Sequence, residues 1–68
     1  MLDCVYVYTE VNEMHEFKEL LFENGYTYER SSSCLHIFRI NIAAKSFIRL
    51  NYTIEKCITV ADFIDLFL

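Results

Sequence analysis

Four groups of residues could do chemistry. Cys34-x-His36 sets a thiol and an imidazole two positions apart, the one local spacing that resembles a metal or nucleophile pair. A closed zinc site takes four ligands and normally contains a C-x₂₋₄-C knuckle, which is absent here. As nucleophile and base the pair is also poor. Residues two apart on a strand are about 6.6 Å apart at Cα, and no third group is placed to orient the imidazole. Ser31-Ser32-Ser33 lacks the G-x-S-x-G surroundings of a nucleophile elbow and suits a turn. Glu13, Glu16, Glu19 and Glu23 fall at helical spacing, where carboxylates form a solvated face rather than an acid/base pair in a dry cleft. The expectation is a protein that is not an enzyme, with no metal and no cofactor.

The fourth group is a repeated pattern. Phe38-Arg39-Ile40-Asn41-Ile42 and Ile48-Arg49-Leu50-Asn51-Tyr52 both read apolar-Arg-aliphatic-Asn-apolar. In strands, alternate side chains share a face, so the aliphatics point inward and Arg39, Asn41, Arg49 and Asn51 point outward. A hairpin pairing Arg39 with Asn51 and Asn41 with Arg49 would set these four side chains as a square. The plain reading is a solvated sheet surface; the sharper one is a recognition patch. Arg presents a planar fork of donors, and Arg and Tyr dominate interface energetics. Tyr6 and Tyr28 are placed beside the square as partner-binding residues. Glu16, Glu19 and Glu23 form a second, acidic contact surface.

The elements that position these residues follow from patterning. Residues 2–9 are dense in β-branched and aromatic side chains on both parities, as in an interior strand. A helix is predicted over 12–24, with Asn12 as N-cap and Met14, Phe17, Leu20 and Leu21 as its buried stripe. Asn24-Gly25 closes it, because glycine accepts the left-handed conformation cheaply. Strands are predicted over 26–30, 34–42 and 47–54, with turns at 31–33 and 43–46. Thr59-Val60-Ala61-Asp62 is a capping box opening a second helix, with Val60, Phe63, Ile64, Phe67 and Leu68 as its apolar stripe. The expected fold is α+β, a two-layer β-α-β-β-β-α sandwich. It has a four-stranded, mainly antiparallel sheet with two helices on one face.

Composition bounds the rest. Sixty-eight residues make one domain, 1–68, with 54% apolar and 24% charged residues, a single Gly and no Pro. The absence of an 18-residue apolar run, of a basic leader and of an even cysteine count leads to the expectation of a cytoplasmic protein with reduced Cys4, Cys34 and Cys57. Residues 1–29 carry seven carboxylates against Lys18, residues 30–56 are net basic, and Asp62 and Asp65 follow, for a total of −4. Such asymmetry steers charged partners. The expected partner is another protein, or a second copy of the chain, bound as an inhibitor or regulator binds, in the manner of proteins encoded by phages or mobile elements. Single-stranded nucleic acid is the alternative; the acidic balance and the lack of an RNP-like motif weigh against it.

Overall fold

In the computed structural model, residues 3–29, 36–50 and 54–68 are described. Strand β1 (Cys4–Tyr8) leads through a 3₁₀ turn (Val11–Glu13) into helix α1 (Met14–Glu23). Four short strands follow: β2 (Thr27–Tyr28), β3 (Ile37–Asn41), β4 (Ser46–Arg49) and β5 (Ile58–Thr59), the last running straight into helix α2 (Val60–Phe67). The sheet order is β2-β4-β3-β1-β5. The β1/β3 and β3/β4 pairs are antiparallel, whereas β1/β5 and β2/β4 are parallel. The α+β class is as expected, but the sheet has five strands and is mixed. The added strand is β5: its two residues pair with Val7 and Tyr8 just before Thr59 caps α2, too short a run to show a period of its own.

Local signals placed the helices well. Helix α1 ends in a Schellman turn: Tyr26 N–H donates to Leu21 O (2.9 Å), Gly25 N–H donates to Phe22 O (3.1 Å), and Gly25 has φ +86°. Asn24 reinforces it, its side-chain Nδ2 donating to Leu20 O at 2.8 Å. The start differs from expectation. Asn12 lies inside the 3₁₀ turn and caps nothing; instead Glu10 N–H donates to Glu13 Oε1 at 2.8 Å, holding the entry turn in place. Helix α2 opens as predicted, with Thr59 Oγ1 accepting from Asp62 N at 3.1 Å.

The core lies on one side of the sheet. Val7 (β1), Phe38 and Ile40 (β3) and Phe47 (β4) meet Phe17 and Leu21 of α1, Phe63 of α2 and Tyr26, all essentially inaccessible to solvent. Edge-to-face rings join the layers: Phe17 stands 5.7 Å from Phe38 and 5.6 Å from Phe63, at 82° and 90°.

The hairpin register overturns the expected square. Asn41 pairs with Ser46, Ile40 with Phe47, Arg39 with Ile48 and Phe38 with Arg49. Relative to the expected pairing this is an odd shift, and an odd shift moves every side chain of one strand to the other face. Phe47 therefore turns inward, and Ile48 joins Arg39 on the outer face. Two physical causes act together. Residues 42–45 form a tight turn, with Lys45 left-handed (φ 57°) and Asn41 Oδ1 accepting from Ala44 N at 2.9 Å. Inward, Phe47 also gains ring contacts with Tyr28 (5.0 Å), Phe22 (5.6 Å) and Phe38 (5.9 Å). Each such pair adds about 0.5–1.5 kcal/mol beyond area burial, which an inward Ile48 would forgo.

Candidate binding surface

The residues expected on one sheet face are divided by this register. Tyr6 and Arg39 are direct cross-strand partners on the outer face, and Asn41 lies opposite Cys4 on the same face. Asn41, however, spends its carboxamide oxygen on the turn to Ala44. Arg49 takes the parity of Phe38 and Phe47 on the helix side, so it does not join Arg39. Tyr28 also lies on the helix side. It pairs with Phe47 and is covered by Lys18, whose Nζ sits 4.5 Å from its ring centroid. Asn51 lies outside the described residues, as do Cys34 and the Ser31–Ser33 turn. The square of Arg and Asn side chains is thus not formed.

The outer face is also less open than a bare sheet. At its upper end Ile37 and Leu50, bonded through Leu50 N–H to Ile37 O, are only 6% and 2% exposed. At the β5 edge, where both faces meet, Cys4, Val5, Tyr6, Lys56 and Ile58 surround an open hollow of about 340 Å³. His36 rests 6.5 Å from the Tyr8 ring, and its carbonyl accepts from both Thr9 N and Thr9 Oγ1, which is structural use. Among the described residues no three His, Cys, Asp or Glu side chains gather as metal ligands. Burial pushes the Cys57 thiol up from its ordinary value, and Cys57 Sγ donates to Ile54 O at 3.4 Å.

The helix layer offers a different surface. Helices α1 and α2 touch through Phe17 and Phe63, and beside that contact an open groove of about 270 Å³ lies between them. Its floor is Phe17, Leu20, Val60 and Ile64; its rim on the α1 side is Glu13 and Glu16. The apolar stripe continues along α2 by helical spacing to Leu68, with Ile64 38% and Leu68 42% exposed. Phe67 and Leu66 beside it are exposed as well. Exposed apolar side chains thus run along the outward side of α2.

Among the described residues, acidic side chains outnumber basic ones on this layer. Glu10, Glu13, Glu16, Glu19 and Glu23 precede or belong to α1, and Asp62 and Asp65 belong to α2. Lys18, the one lysine of α1, is turned toward β2 and occupied by Tyr28. His15 lies on the exposed side of α1, its Nε2 3.7 Å from Glu19 Oε1. Of the three glutamates named from the sequence, Glu16 lines the groove, whereas Glu19 and Glu23 are exposed on the helix away from it. Sequence reasoning missed the α2 half of the surface. The sequence shows Val60, Phe63, Ile64, Phe67 and Leu68 as one apolar stripe, and only the packing separates buried Phe63 and half-buried Val60 from the exposed Ile64, Phe67 and Leu68. No helix among the described residues is long and apolar enough to cross a membrane. Compared with family models, curated proteins and solved structures, the chain gives no significant match.

Proposed function

We propose that the chain is a protein-binding module that acts by occupying a partner's surface, as an inhibitor or regulator does, and that the helix layer is the surface it uses. The observation that carries this reading is the groove between α1 and α2: an apolar floor at Phe17, Leu20, Val60 and Ile64 beneath the carboxylates of Glu13 and Glu16. Interfaces pair a desolvated apolar centre with a polar rim, and the groove has both parts. At about 270 Å³ and open to solvent, it falls below the roughly 300–1,000 Å³ of small-molecule sites and suits side chains better than a free ligand.

The test is differential purification from the source cells with three baits: the native chain, a Glu16→Lys/Ile64→Asp variant and an Arg39→Gln/Tyr6→Ser variant. A partner held by the native and sheet-face baits but lost from the helix-layer bait, and reproduced with both proteins purified, supports the reading. A partner lost only from the sheet-face bait overturns it, as does failure of any protein to bind the native bait specifically.

A further inference from the structure

Resting on the helix layer as the contact surface, we infer that its occupant is a cationic amphipathic α-helix. The helix lays about two turns along the α1/α2 groove, seating aliphatic side chains on the floor and Lys or Arg beside Glu13 and Glu16. Charge selects this occupant among those an apolar groove could take. A second copy mating through the same groove would bring Glu13 and Glu16 of one molecule close to those of the other. Such like-charge juxtaposition suppresses pairing. Nucleic acid and anionic lipid surfaces meet the same repulsion. A cationic segment meets attraction at the rim, where Glu13 and Glu16 are the charged residues that line the groove and α2 carries no basic residue; Lys18 keeps its charge over the Tyr28 ring and is not part of the lining.

Geometry selects a helix rather than an extended strand. Strand addition needs a free sheet edge, and the two edges here, β2 and β5, offer two residues each. The groove instead lies between two helices, where the ridge of a third can settle. Its length is set by α2, whose eight residues span about 12 Å. That matches two turns of the occupant, with anchors at i, i+4 and i+7 on one side. The floor residues are spaced to receive them, Phe17 and Leu20 three apart on α1 and Val60 and Ile64 four apart on α2.

The experiment uses the full chain and a fluorescein-labelled 16-residue peptide of Leu, Lys and Ala, with Leu at i, i+4 and i+7 and Lys on the flanks. Two controls accompany it: the same composition with the Leu positions scrambled, and the same pattern with Glu for Lys. Anisotropy should show saturable binding of the patterned cationic peptide, with an affinity that drops about tenfold as salt rises from low to high. Glu16→Lys and Ile64→Asp should each weaken binding about tenfold, while Arg39→Gln on the outer face leaves it unchanged. Glu16→Gln, which removes the charge without reversing it, should give a smaller loss, and circular dichroism confirms that each variant is folded. Equal binding of the scrambled peptide, binding of the anionic one, or none at all overturns the inference. The binding reading itself is judged separately. A purified partner that footprints on Glu16 and Ile64 through a neutral or extended segment leaves that reading standing and removes this one.

Discussion

The inward turn of Phe47 and the outward turn of Ile48 can be tested against each other, because the two residues are adjacent and both large and apolar. Phe47 is 1% exposed and has three aromatic neighbours; Ile48 is half-buried on the outer face beside Arg39. Truncating a buried Phe to Ala costs about 3–5 kcal/mol. Burying an Ile fully is worth about 1.5–3 kcal/mol, so losing a half-buried one costs about 1 kcal/mol. A 68-residue domain has a total stability of roughly 3–10 kcal/mol, so Phe47→Ala removes much or all of it and Ile48→Ala does not. Urea unfolding followed by far-ultraviolet circular dichroism reads the difference. With a slope near 1 kcal/mol per molar, Ile48→Ala lowers the midpoint by about 1 M. Phe47→Leu, which keeps bulk but loses the three ring contacts, supplies a measurable point if Phe47→Ala is unfolded, at about 1.5–4.5 kcal/mol. A loss from Ile48→Ala equal to or larger than that from Phe47→Leu would refute the register.

Three further outcomes follow from local features. Thr59→Ala removes the acceptor for Asp62 N and should cost about 1 kcal/mol, visible as a fall in melting temperature of about 4–8 °C. Gly25→Ala should cost about 1–2 kcal/mol even though the space around a new Cβ is open, because φ +86° is left-handed; an unchanged melting temperature would contradict the Schellman turn. Stability should fall on the alkaline side. Burial raises both the Cys57 thiol above its ordinary 9.0 and the Tyr26 phenol above its ordinary 10.0. The folded chain therefore keeps protons that the unfolded chain releases, and stability is fully present below about pH 9 and declines as pH rises past it. Tyr26→Phe should flatten the upper part of that decline, and a pH-independent urea midpoint from about 8 to 11 would count against both assignments.

What was legible in the sequence was local. Gly25 after Asn24, Thr59 three before Asp62, and the spacing of Phe17 and Leu21 each carry their physics within one or two turns, and each is where it was expected. The register of β3 on β4 was not legible, because both 47 and 48 are apolar and the deciding facts lie elsewhere. The rings of Tyr28 and Phe22 come from other elements, and the left-handed Lys45 is unannounced by any glycine. The candidate site shows the same split. Glu16 is named from its position on an acidic helix, but Ile64 is one member of an apolar stripe, and helical spacing alone does not show how far the opposite helix reaches over it.

The placement of β1 in the sheet bears on how the chain acquires its shape. β1 is flanked by β3 and by β5, so both its neighbours come later in the chain, and Val7 shares its core cluster with Phe63 of α2. Such distant pairings make for slow acquisition of structure. A ribosome-bound chain stopped before residue 58 lacks one flank of β1 and all of α2, and should remain open to protease. Local helix formation alone therefore leaves β1 without either flank, and the sheet closes only when segments far apart in sequence meet.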